Sequence, residues 1–105
     1  MEILEKFKNL IEEHFINEHE IAFYEKELGV KPKYLSKLSK KQNSLPPCQL
    51  LLQKQINYSQ HLLKTTSKTI KEIAQEMNFE DPYYFSKVFK KKTGMSPTEY
   101  RQINQ

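Results

Sequence analysis

One pattern is written twice in this chain, and it leaves few folds open. The first copy runs from Ile21 to Lys41 and the second from Ile70 to Lys91. Each begins with apolar residues at helical spacing: Ile21, Phe23 or Tyr24, and Leu28 in one, Ile70, Ile73, Ala74 and Met77 in the other. Each then breaks at a residue that tolerates the left-handed backbone, Gly29 or Asn78. Each resumes at a proline, Pro32 or Pro82, which suits the first turn of a new helix because its missing N–H would have no partner there. The resumed segments turn Leu35 and Leu38, or Phe85, Val88 and Phe89, inward and carry lysine on the other side. No stretch alternates with a period of two, so the fold class is all-α.

The flanking segments read as helices too. Ile3, Leu4, Phe7, Leu10, Ile11 and Phe15 recur at three and four and predict an amphipathic helix from about Glu2 to Phe15. A long helix is expected from Cys48 to Lys64, with Leu52, Ile56, Ser59 and Leu63 along one side. It would span roughly 25 Å. Thr69 and Glu72 have capping-box spacing, as do Ser96 and Glu99, the second pair opening a short last helix through Tyr100. Asp81 is a good N-cap ahead of Pro82. These signals divide the chain into a first subdomain at 1–47, a linker helix at 48–64 and a second subdomain at 65–105.

Charge narrows the function. The formal net charge is +4, but residues 1–20 hold six Glu and two Lys, a formal −4, and the remainder carries +8. A basic body with an acidic first helix points to a polyanionic partner, although net charge alone is better explained by a soluble, charge-rich surface. Arg101 is the single arginine, so lysine supplies the positive charge; it serves phosphate well as a point charge but lacks the planar fork of arginine. The one cysteine, Cys48, allows no disulfide within the chain. The opening residues mix charges and resemble neither a signal peptide nor a membrane span, so a cytoplasmic location is expected. His14, His19 and His61 lack metal-ligand spacing, and no glycine-rich phosphate loop or catalytic constellation occurs; no metal, cofactor or enzymatic activity is expected.

A helix, a tight turn and a second helix that is basic on its outer side form a helix-turn-helix, whose second helix enters the major groove of DNA. In the first copy Lys33, Ser36 and Lys37 are expected to face bases, with Lys40 and Lys41 reaching phosphates. In the second, Tyr83, Ser86 and Lys87 are expected to face bases, with Lys90, Lys91 and Lys92 on phosphates. Free N–H groups at the start of each entering helix are expected to add phosphate contacts. Tyr84 is expected to lie half-buried beside Phe79. Two helices reading one face of a duplex must lie about 34 Å apart. A linker helix of roughly 25 Å with its flanking turns is near that length. For one lysine taken alone a solvated helix face is the better reading; the matched Pro, Tyr, Ser and Lys positions of the repeat reverse that preference for Lys87, less so for Lys37.

The second copy, from Ile70 through Asn78-Phe79-Glu80-Asp81-Pro82-Tyr83-Tyr84-Phe85-Ser86-Lys87 to Thr93-Gly94-Met95-Ser96-Pro97-Thr98-Glu99-Tyr100-Arg101, closely resembles the signature of AraC/XylS-type bacterial transcription regulators. Leu10 to Phe15 and Tyr34-Leu35-Ser36-Lys37 match the same domain more loosely, so the likeness covers residues 2–102. The resemblance implies two helix-turn-helix subdomains joined by a long linker helix, about seven helices in all. It implies double-stranded promoter DNA as partner, usually transcriptional activation, and contact with RNA polymerase. It also implies an amino-terminal effector-binding and dimerisation domain in the intact protein, of which this chain would be a fragment. The first copy departs from the pattern: Asn43-Ser44-Leu45 stands for the usual Thr-Gly, Ser39 for an apolar residue, and Gln55 for a frequent arginine. The competing reading is a helical protein-interaction module that docks a partner through the acidic first helix or the linker.

Overall fold

The computed structural model describes residues 2–104, which form seven helices and no strand. They are α1 (Ile3–His14), α2 (Ile21–Leu28), α3 (Tyr34–Lys41), α4 (Pro47–Thr65), α5 (Ile70–Glu76), α6 (Pro82–Thr93) and α7 (Pro97–Ile103). The described residues fall into two compact units, one ending at Lys54 and the other beginning at Gln55, so α4 contributes residues to each. Among the described residues no helix is long and apolar enough to cross a membrane.

In the first unit the α1 stripe buries Leu4, Phe7 and Ile11, with Phe15 just beyond the helix end. This face meets α2 and α3. The sequence leaves Phe23 and Tyr24 as alternatives for the core; Tyr24 takes it, fully buried, and Phe23 stays half-exposed. The Tyr24 ring meets Phe7 edge-on at 5.5 Å and Phe23 at 5.2 Å. Its hydroxyl donates to the Glu18 carbonyl at 2.8 Å. Burial, with the Glu18 charge nearby, pushes this phenol up to about 12. Lys54 of α4 pairs with Glu12 at 2.8 Å and lies over the Phe15 ring.

The second unit keeps closely to its local signals. Thr69 and Glu72 form the expected capping box: the Glu72 N–H donates to Thr69 Oγ1 at 3.1 Å, and the Thr69 N–H donates to Glu72 Oε1 at 2.8 Å. Ser96 and Glu99 repeat it at 3.1 and 3.0 Å, although α7 runs past Tyr100 to Ile103. The N–H and hydroxyl bonds from Thr69 and Ser96 hold the Glu72 and Glu99 carboxyls below their ordinary range. Phe79, Phe85, Phe89 and Tyr100 form a run of ring contacts at 5.2, 6.0 and 5.6 Å. Arg101 closes the unit: Nε donates to the Leu63 carbonyl, Nη1 to that of Lys68 and Nη2 to that of Thr66. One planar guanidinium thus gathers three carbonyls around the α4–α5 connection.

The buried side of α4 keeps Ile56, Ser59 and Leu63 of the expected residues and loses Leu52. Leu51, Gln55, Ile56, Ser59, Leu62 and Leu63 are buried, whereas Leu52 is half-exposed. Of the further buried positions, Leu51, Gln55 and Leu62, Gln55 is polar and leaves no mark in an apolar pattern. Ser59 is satisfied within the helix by donating to the Gln55 carbonyl at 2.8 Å.

Candidate nucleic-acid interface

Both turns that lead into the lysine-faced helices are built on one hydrogen-bond scheme. At the end of α2, Gly29 has φ +67°, its N–H donates to the Lys26 carbonyl, and the Val30 N–H reaches back to Glu25, each at 3.1 Å. At the end of α5, Asn78 has φ +61°, its N–H donates to Gln75 at 3.0 Å, and the Phe79 N–H reaches Ala74 at 2.9 Å. These are the paired bonds of the Schellman motif, which asks for a left-handed residue. Gly29 and Asn78 both take the role assigned from sequence. Asn43 does the same at the end of α3, at φ +56°, with Asn43 and Ser44 N–H groups bonded to Lys40 and Ser39 carbonyls. The glycine absent from that turn is replaced by the next most tolerant residue.

The entries to α3 and α6 diverge. At α6 the side chain of Asp81 caps the helix, accepting the Tyr83 N–H at 2.9 Å, and Pro82 is the first helical residue, as expected. At α3 the expectation fails: Pro32 lies in a turn, and the helix starts at Tyr34. The N-cap is Lys33, held at φ +71° with no side-chain cap bond. Gly29 stands three residues before Pro32, but Asn78 stands four before Pro82. The shorter first turn consumes the proline before the chain reaches helical direction. Lys33 is therefore exposed but not part of the helical face on which its spacing from Ser36 and Lys37 was counted. Its N–H donates to Glu25 Oε2 at 2.9 Å.

Carboxylates thus sit at both helix starts, Glu25 beside α3 and Asp81 on α6. They complement the positive end of the helix dipole and already engage an N–H each. Phosphate capture at these ends, expected from the sequence, is opposed by that negative charge.

The remaining candidates divide between the two helices. On α3, Ser36, Lys37, Lys40 and Lys41 are exposed, opposite the fully buried Leu35 and Ser39. On α6, Tyr83, Lys87, Lys90 and Lys91 are exposed and Ser86 is half-buried, opposite Phe85 and Phe89. At about 100° per residue, Tyr83, Ser86, Lys87 and Lys90 form one continuous ridge. Lys92 falls on the opposite side and is half-buried. Lys90, Lys91 and Lys92 also occupy the last turn of α6, where positive charge is favourable.

Tyr84 departs from expectation. It does approach Phe79, with ring centroids 6.3 Å apart, yet 58% of its surface is exposed. Tyr34, in the matching place on α3, is 43% exposed. Both belong with the outward residues, a role that sequence reasoning missed. The signal lies in the helical spacing, since each immediately precedes a buried residue, Leu35 or Phe85, and so points about 100° away from it. Among the described residues no group of three or more His, Cys, Asp or Glu is placed to hold a metal ion.

Residues 24–103 match the family described as "Helix-turn-helix domain". The chain is 34% identical over 92 residues to the arabinose operon regulatory protein of Salmonella typhimurium, covering 87% of this chain and 33% of that protein. It thus spans about a third of the length of that curated relative. Among solved structures, the C-terminal domain of the two-component response regulator yesN from Fusobacterium nucleatum is 35% identical with a TM-score of 0.85, over 92% of this chain and 95% of that one. The fold is also that of the DNA-binding domain of AdpA, solved in complex with a target DNA: TM-score 0.86, 19% identity, over 98% of this chain and 93% of that one.

Proposed function

Because the chain belongs to the AraC/XylS-type helix-turn-helix family of transcription regulators, we propose that it is a sequence-specific binder of double-stranded DNA that inserts α3 and α6 into successive major-groove segments of a promoter. One observation carries the reading. The outer ridge of α6 presents Tyr83, Ser86, Lys87 and Lys90 away from a core of Phe85 and Phe89, with Tyr83, Lys87 and Lys90 exposed. A major groove admits one α-helix and displays donors and acceptors that such side chains match. Ser36 and Lys37 of α3, and Tyr83, Ser86 and Lys87 of α6, meet base edges. Lys40, Lys41, Lys90 and Lys91 neutralise phosphates, and the exposed Lys33 lies in their field. The family is one of regulators and not of enzymes. Activation through RNA polymerase, control by an amino-terminal effector domain and action in the cytoplasm belong to the same proposal and rest on the family.

The experiment is selection of duplexes from a random pool, and then binding at several salt concentrations. Affinity is expected to fall steeply with salt, and Lys90→Ala to reduce the slope by about one. Retention of no duplex at low salt would instead support a protein-interaction module.

A further inference from the structure

We propose that α6 reads thymine through its 5-methyl group, with Tyr83 as the aromatic surface that covers it. The inference rests on the DNA-binding function proposed for the chain and assigns the class of base that the second subdomain selects.

Tyr83 is 85% exposed, and Tyr84 beside it 58%. A large aromatic ring left in water forgoes the burial that stabilises most tyrosines in a folded chain. Two consecutive rings are held out at the first turn of α6, the end of such a helix that meets base edges. The Asp81 cap and Pro82 fix the backbone there, so the direction in which Tyr83 leaves the helix is set before DNA arrives. Tyr84 leans on Phe79 and points about 100° to one side. Tyr83 shares the ridge of Ser86 and Lys87 and is the ring that faces the groove.

Beside Tyr83, base readout on this helix falls to Lys87 and Ser86 alone. The guanidinium of Arg101, the one arginine in the sequence, is bound by the carbonyls of Leu63, Thr66 and Lys68 and is not available to guanine. No Asn or Gln, the usual partners of adenine, occurs anywhere in α6. The base-edge feature that an apolar ring recognises is the thymine methyl, the one apolar group in the major groove. The first unit has lysine at the matching position, Lys33, so the preference belongs to the half of the operator under α6.

The test uses the whole chain and the duplexes it selects. Each thymine in a selected site is replaced singly by deoxyuridine, which removes the methyl and keeps every hydrogen-bonding group. At one or two positions binding is expected to weaken about fourfold per methyl, the worth of one buried carbon. Tyr83→Ala should bind thymine and uracil equally at those positions, and Tyr83→Phe should keep the discrimination, because the ring and not the hydroxyl makes the contact. The proposal is overturned if uracil is tolerated at every position. It is equally overturned if Tyr83→Ala preserves the thymine preference, or if that variant weakens all duplexes uniformly, which would make the ring a backbone contact. Each of these results comes from a chain that still binds selected DNA and leaves the proposed DNA-binding function standing. Selection of no duplex at all overturns both.

Discussion

Helix α6 starts at Pro82 behind an Asp81 cap and runs for twelve residues; α3 starts at Tyr34 behind a left-handed lysine and runs for eight. The turns before them share one hydrogen-bond scheme, so the difference lies in how each helix begins. In the second unit the entering helix is directed by its own sequence. In the first it depends on a neighbour: Glu25 of α2 holds the Lys33 N–H, against a left-handed conformation that costs lysine about 1–2 kcal/mol. The cores diverge in parallel, since Phe89 makes ring contacts on both sides where Ser39 buries a hydroxyl without a partner. A repeated motif therefore need not give repeated stability. Helix α6 is firmly placed, and α3 stands on a more marginal platform.

The largest expected effect concerns Arg101. Its guanidinium donates to three carbonyls, and hydrogen bonds to a charged group contribute about 1.5–3 kcal/mol each in favourable settings. Because the side chain is only half-buried, Arg101→Ala is expected to cost on the order of 3 kcal/mol in total rather than that sum. Hydrogen exchange should report the loss in α5 to α7 amides and leave α1 to α3 unaffected. Arg101→Lys should recover only part, since an ammonium cannot reach all three acceptors at once. Equal loss of protection in both units would break the picture of separately braced halves.

Alkaline pH should act on the other unit. The buried Tyr24 phenol titrates at about 12 when folded, against an ordinary value near 10. A raised folded value means that the folded state holds the proton more tightly. The contribution is fully present below pH 10 and is lost as pH rises toward 12, by on the order of 1–2 kcal/mol once solvent screening at the part-buried hydroxyl is allowed for. Urea unfolding monitored through α1–α3 should show that slope in the parent chain and lose it in Tyr24→Phe. A slope that survives the substitution would place its source outside the α1–α2 core.

How far the sequence could be read shows the same divide. Thr69 with Glu72, Ser96 with Glu99, and Asp81 before Pro82 act within three or four residues of themselves, so their geometry is carried by residue type. The start of α3 is set by turn length and by the reach of Glu25 from another helix, and Pro32 alone pointed to the wrong place. Along α4 the buried Ile56, Ser59 and Leu63 were legible, whereas the polar Gln55 left no mark in an apolar pattern. Most outward positions of the candidate interface were legible from helical spacing; Lys33 and Lys92 were not, because their places depend on where each helix begins and on what its far side covers, and the outward Tyr34 and Tyr84 were missed.

Base discrimination should show the same asymmetry at smaller scale. Lys87→Ala is expected to cost ~1–3 kcal/mol at one base pair of a selected site and little elsewhere. Lys37→Ala, on the shorter and less firmly placed α3, should cost less, because part of the contact energy is spent on ordering the helix on which it stands. Affinity matrices for both variants over all single-base changes test the ranking; a larger and sharper loss for Lys37→Ala would reverse it.

The smallest effect is the most direct probe of why α3 is marginal. The Ser39 side chain is 1% exposed, and its Oγ has no hydrogen-bond partner. A buried hydroxyl without a partner has lost its water for no return, at about 1–3 kcal/mol. Ser39→Ala removes the polar atom and leaves a space smaller than a methyl group, so a net gain of about 1 kcal/mol is expected, seen as slower exchange in α3 amides. Ser39→Phe, which copies the second unit at this position, should destabilise instead, because the surrounding side chains are packed around serine and overpacking costs ~1–3 kcal/mol. If alanine destabilises as well, Ser39 is bonded in solution to a group such as a buried water, and the weakness of α3 must be sought in its left-handed start at Lys33.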